Sequence, residues 1–134
     1  MTSLRDFIAA RLDEDQEAAE NASQDPDEGN VWTVGARRRE FKQEARIGDD
    51  RDDLVFDIKD GVCVAFDELL EYLTRFHPRR ILREIESKRA IVEEHSGTHS
   101  CGADHATDED PCDTLKFMAA VYSDHPSYRE EWAA

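Results

Sequence analysis

Five residues within a stretch of eighteen carry the side chains that bind transition metals: His95, His99, Cys101, His105 and Cys112. Imidazole nitrogen and thiolate sulfur are the donors a tetrahedral zinc ion selects, and four of them complete its shell. The spacing, H-x3-H-x-C-x3-H-x6-C, is not that of a standard finger, so convergence depends on how the intervening chain folds. The set that reads best is His95, Cys101, His105 and Cys112. His95 and Cys112 would be held by flanking helices, while Cys101 and His105 would close the loop between them. His99 is the substitute if His105 does not reach. A filled shell of two histidines and two cysteines leaves no open position, so such a Zn2+ is structural. The plain alternative is an acidic loop whose histidines are solvated.

No catalytic residue emerges from the remaining chemistry. Cys63 lies between Val62 and Val64 and reads as a small buried hydrophobe. His77 precedes Pro78 at a helix junction, where hydrogen bonding to a helix end is its natural role. Asp124-His125-Pro126 reads as a cap, with Asp124 accepting from backbone N–H groups. The acids of Gly48 to Asp53 lack the central glycine and terminal glutamate of a calcium loop and read as a solvated turn. No Gly-rich phosphate loop, HExxH, GxSxG or CxxC is present, so a hydrolase or transferase has no named residues behind it.

The elements that must position the five ligands follow from periodicity. Ser3, with Asp6 three residues on, starts a helix whose Leu4, Phe7, Ile8 and Leu12 share one face, with Arg11 as the exception. The charged second half, Asp13 to Asn21, is expected to project into solvent and fray. From Val31 to Val64 the period falls towards two: Val31 to Val34, the poorly alternating Arg39 to Ile47, then Leu54 to Ile58, an Asp60-Gly61 turn and a returning Val62 to Val64. Helices follow at Asp67 to Phe76, at Pro78 to about His95 and after Pro111. The Pro78 helix directs Ile81, Leu82, Ile85, Ile91 and Val92 to one side, and Glu84 and Lys88 form an i,i+4 pair on another. In the last helix Leu115, Met118, Ala119 and Tyr122 point inward, Phe117 sits at the edge, and Trp132 anchors the C-terminus. The expected fold class is α+β: a small antiparallel sheet, residues about 31–65, packed with helices from the N- and C-terminal segments. The expected organisation is one domain, 1–134, with loops at 21–30 and 96–110.

Charge narrows the function classes. The chain of 134 residues has 32 acidic and 17 basic side chains, net −15. Residues 1–30 carry −7 and residues 96–134 carry −6, so the excess sits at the ends and the middle is nearly neutral. Phosphate backbones repel such a chain, so direct nucleic-acid binding is not expected despite Arg37-Arg38-Arg39 and the cluster Arg79, Arg80, Arg83, Lys88 and Arg89. Those arginines are expected to make intramolecular ion pairs. No run approaches the roughly 18 apolar residues of a membrane span. The opening Met1-Thr2-Ser3-Leu4-Arg5-Asp6 lacks the apolar core of a secretory signal, so a cytoplasmic setting is expected. These features suit a small acidic accessory or interaction protein, non-enzymatic, with a protein partner and an open oligomeric state. The alternative is an acidic nucleic-acid mimic that inhibits a host DNA- or RNA-binding protein.

Three segments carry a resemblance: Phe7-Ile8-Ala9-Ala10-Arg11-Leu12, the helix His77 to Val92 (HPRRILREIESKRAIV), and the tail Val121 to Trp132 (VYSDHPSYREEW). Together they resemble a family of small uncharacterised proteins from actinobacteria and their phages, catalogued as a domain of unknown function. The resemblance implies an actinobacterial or actinophage source and a cytoplasmic protein, and it supplies no activity. It also implies a small metal knuckle between the basic helix and the tail, a pattern that Cys112 before Asp113-Thr114-Leu115 matches best. Cys101 is the only further cysteine there, so a four-cysteine site does not carry over.

Overall fold

A computed structural model describes residues 2–23, 33–39, 42–48, 54–57, 67–102 and 104–134. Along the chain come α1 (Leu4–Ser23), β1 (Thr33–Arg39), β2 (Lys42–Gly48), β3 (Leu54–Asp57), α2 (Asp67–Arg75), α3 (Pro78–Glu94), β4 (His99–Cys101), β5 (Asp104–Ala106), α4 (Asp113–Ala120) and a 3-10 turn (Glu130–Trp132). The fold class is α+β. Residues group into two compact units, Gln16–Arg83 and Met1–Asp15 with Glu84–Ala134.

The Gln16–Arg83 unit holds an antiparallel sheet of order β1-β2-β3. Strands β1 and β2 pair over their full length, from Thr33 opposite Gly48 to Arg39 opposite Lys42, which sets Arg37 opposite Glu44. A register shift between Ile47 and Gly48 interrupts the β2–β3 pairing, the signature of a bulge. Strand β3 coincides with the most apolar run of this region. The expected turns at Asp49–Asp53 and Asp60-Gly61, the returning strand Val62 to Val64 with Cys63, and Trp32 lie outside the described residues. At the junction of α2 and α3, the Arg80 N–H donates to His77 Nδ1 at 3.4 Å, so His77 caps the helix that Pro78 opens. The Arg80 guanidinium covers the Phe76 ring at 4.5 Å and donates to the Arg75 carbonyl at 3.2 Å. The second half of α1 does not fray: the helix runs on to Ser23, with Ala19 and Ser23 buried and the Ser23 hydroxyl bonded to the Glu20 carbonyl at 2.7 Å.

The other unit is built on the apolar face of α1. Ser3 Oγ accepts from the Asp6 N–H at 3.1 Å, the expected cap. Leu4, Phe7, Ile8 and Leu12 are then buried with Ile85, Val92, Leu115, Ala119 and Trp132. Phe7 is ringed by the tail: Tyr122, His125, Tyr128 and Trp132 all place their rings within 6.4 Å of it, mostly edge-on. Arg11, the polar exception on the stripe, stacks its guanidinium over Phe7 at 5.3 Å and bonds Glu14 at 2.6 Å and His125 Nδ1 at 3.0 Å. His125 Nδ1 also accepts the Ser127 N–H, so the cap at this corner comes from His125 and not from Asp124.

Two expectations on α3 change. Ile91 faces outward, 40% exposed, while Ile85 and Val92 are buried. No Glu84–Lys88 ion pair forms, and among the described residues Lys88 has no ionic partner. Of the neighbouring basic residues, Arg89 pairs with Asp13 at 2.6 Å, as expected of this cluster.

The segment 96–110, expected to be a loop, contains the β4–β5 hairpin. Gly102 sits at the hairpin's turn with φ +66, the positive φ that a two-residue hairpin loop demands. Gly97, φ +67, turns the chain out of α3 into β4. Its N–H donates to Asp108 Oδ1 at 2.9 Å, and Thr107 and Asp110 exchange two 3.0 Å bonds, so polar groups fasten the segment where apolar ones are lacking.

Candidate metal centre

Three short devices bring the ligands together. His95 follows α3 and keeps its N–H on the Ile91 carbonyl at 3.0 Å. Cys112 is the residue immediately before α4. His99 and Cys101 lie two residues apart on β4, so the pleat points both to one face. One ligand atom from each of His95, His99, Cys101 and Cys112 lies within 4.8 Å of all the others.

His105 is not among them. It pairs with Ser100 across the hairpin, while His99 pairs with Ala106 and Cys101 with Asp104. Directly opposite residues share a face, and successive residues alternate, so His105 takes the face opposite to Cys101. Burial agrees: Ala106 is 4% exposed, whereas Ser100 and His105 are both exposed, with Ser100 Oγ 3.3 Å from His105 Nδ1. Of the expected set, the structure groups His95, Cys101 and Cys112, and it brings His99, the expected substitute, to them in place of His105.

Two of the donor separations are those a tetrahedral ion would set. His95 Nδ1 is 3.7 Å from Cys101 Sγ and 3.5 Å from Cys112 Sγ. Zn–S bonds of about 2.3 Å and Zn–N bonds of about 2.0–2.1 Å at tetrahedral angles place N and S about 3.6 Å apart. His99 is set up in the same sense. Its Nδ1–H donates to the Gly97 carbonyl at 3.0 Å, which leaves the lone pair on Nε2. That Nε2 is buried and has no hydrogen-bond partner.

Electrostatics favour the charged sulfur. Burial pushes the Cys112 thiol up, but the Leu115 amide ahead of it and the side chains of His99, Cys101 and His95 outweigh burial and hold its pKa at about 6. The Leu115 amide belongs to the first turn of α4, so the helix N-terminus favours the negative sulfur. The Gly97 carbonyl raises the His99 pKa, and the Cys112 sulfur adds to the effect.

The quoted tail and helices thus have structural tasks: α3 and α4 bracket the cluster, and the tail clasps Phe7. Residues 1–134 match one family throughout. The chain belongs to DUF6221, a family of unknown function. No curated protein and no solved structure matches it. This DUF6221 chain therefore has to be read from its own site. A four-ligand shell of two imidazoles and two thiolates can bind an ion firmly and offers no vacant position for substrate. Among the described residues no helix is long and apolar enough to cross a membrane.

Proposed function

We propose that this DUF6221 protein is a small non-enzymatic accessory protein in which a structural zinc ion fastens the hairpin and the start of α4 to the end of α3. The single observation that carries this reading is the convergence of His95, His99, Cys101 and Cys112, one donor atom from each lying within 4.8 Å of all the others. Zinc binds these donors and joins segments seventeen residues apart, offsetting the roughly 1–2 kcal/mol per residue that ordering the backbone costs. Zinc is preferred over other divalent ions because the donor set is tetrahedral and contains two thiolates.

The partner in this reading is a protein with a basic surface, met in an actinobacterial or phage-infected cytoplasm. Support comes from the distribution of charge. In this unit Arg5 pairs with Glu93, Arg11 with Glu14, Arg89 with Asp13, Lys116 with Asp113 and Arg129 with Glu131. These five cations are thus neutralised internally, and the surplus of a −15 chain is left as carboxylates.

Elemental analysis of protein purified without chelator tests the zinc. Stoichiometric zinc, together with a lower unfolding temperature after chelation, is the expected result. Substitution by cobalt should give thiolate-to-metal charge-transfer bands that disappear in Cys112→Ser. Zinc far below stoichiometry, with stability unchanged by chelator, overturns the proposal.

A further inference from the structure

A groove of about 420 Å³ opens beside α1, α3 and α4, bordered at one edge by Thr114, whose Oγ1 lies 3.9 Å from Cys101 Sγ. Its walls are apolar: Ile8 and Leu12 from α1, Ile91 from α3, and Phe117 and Val121 from α4. Three of these are unusually open to solvent, Ile91 at 40%, Phe117 at 62% and Val121 at 68%. One cation lines the same groove, Lys88. It is half-buried, and among the described residues it has no ionic partner, whereas Arg5, Arg11, Arg89, Lys116 and Arg129 in this unit are each paired with a carboxylate. Tyr122, also in the lining, has its hydroxyl engaged by Asp15 at 2.6 Å, which leaves the Lys88 ammonium as the uncommitted charge.

We infer that this groove binds a single-chain amphiphile with a carboxylate head, a fatty acid, its chain along Ile91, Phe117 and Val121 above the buried floor of Ile8 and Leu12, and its head on Lys88. Three features choose this occupant. The apolar walls require a hydrocarbon body, and one unpaired, partly desolvated ammonium requires one anionic head. The volume falls in the roughly 300–1,000 Å³ range of small-molecule sites. A protein partner is the poorer fit, because the groove is lined by nine residues and a stable protein interface engages about 20–30 on each side. A second copy of the chain would bring −15 against −15.

Calorimetric titration of the full chain with laurate, kept below its micellar concentration, tests the assignment, with dodecanol as the uncharged control. Saturable one-to-one binding of laurate is expected. Lys88→Met, which keeps the aliphatic stem, should weaken laurate by at least about tenfold, the worth of a charge-assisted contact, and leave dodecanol unchanged. Val121→Gln, at an exposed position, should weaken both ligands, and circular dichroism of each variant establishes that it is folded. Absence of saturable laurate binding by the native protein, or equal laurate affinity in folded Lys88→Met, overturns the inference. Laurate bound no better than dodecanol also overturns it, since the groove is then a plain apolar surface of the kind a partner helix covers.

Discussion

His99 and Cys101 occupy the same face of β4, and that one relationship decides which histidine joins the cluster. His99→Ala should lower zinc affinity by at least about tenfold, whereas His105→Ala should leave it unchanged. Competition with a chromophoric chelator measures both. Equal loss in the two variants would mean that the hairpin register differs from His99 opposite Ala106.

Much of this centre was legible in the sequence. His95, Cys101 and Cys112 are identifiable by residue type, and His95 and Cys112 also by their positions at helix boundaries. The choice between His99 and His105 was not, because it depends on cross-strand register. Two three-residue strands, HSC and DHA, carry no apolar alternation from which to read one. A signal was present nonetheless: His99-Ser100-Cys101 alternates ligand, spacer, ligand before Gly102, and Gly102 is where the turn falls. The sheet was legible through Leu54 to Asp57, while TVGARRR and KQEARIG disclose less because each offers only two apolar side chains on one parity, Val34 with Ala36 and Ala45 with Ile47. Lys88 was misread for a related reason. Spacing of i,i+4 permits a pair with Glu84 but does not require one, since exposed pairs are worth only about 0.2–1 kcal/mol.

Gly97 adopts φ +67 between α3 and β4, and a methyl group built on it would meet nothing within 4 Å. The effect of Gly97→Ala is therefore conformational and not steric. It should cost roughly 1–2 kcal/mol in the metal-free protein, read as a lower denaturant midpoint, and it should weaken zinc because Gly97 also holds the His99 tautomer through its carbonyl.

Phe7, 3% exposed, packs against four rings of the tail and so ties the C-terminus to α1. Phe7→Ala should destabilise the chain by roughly 3–5 kcal/mol. Proteolysis should then release the tail after Val121 well before global unfolding. An intact tail in the folded variant would show that Trp132 is retained without the ring beneath it.

Tyr122 donates to Asp15 at 2.6 Å, and burial, with that carboxylate adding to it, pushes its phenol well above the ordinary value of 10.0. The fold thus favours the protonated phenol, a contribution that is full below about pH 10 and lost as pH rises beyond it. Ultraviolet titration should show one of the chain's three tyrosines ionising late, and Tyr122→Phe should remove that component.

The acid side of the stability profile tests Cys112. Its pKa near 6 in the folded protein lies below the 9.0 of a free thiol, so the fold favours the thiolate. Linkage then gives a contribution that is fully present above about pH 9 and is lost as pH falls through 6. His99 acts in the opposite sense: its raised pKa stabilises the fold at low pH and ceases to do so as pH rises through the folded value. Subtracting Cys112→Ser from the native chain, both stripped of metal, isolates the thiol. The difference in unfolding free energy should grow as pH rises from about 6 to 9. With zinc bound, the native chain should hold its stability to lower pH and then lose it steeply as protons displace the ion from sulfur and imidazole. A difference that stays flat from pH 6 to 9 would show that the Leu115 amide and the imidazoles do not hold Cys112 as a thiolate.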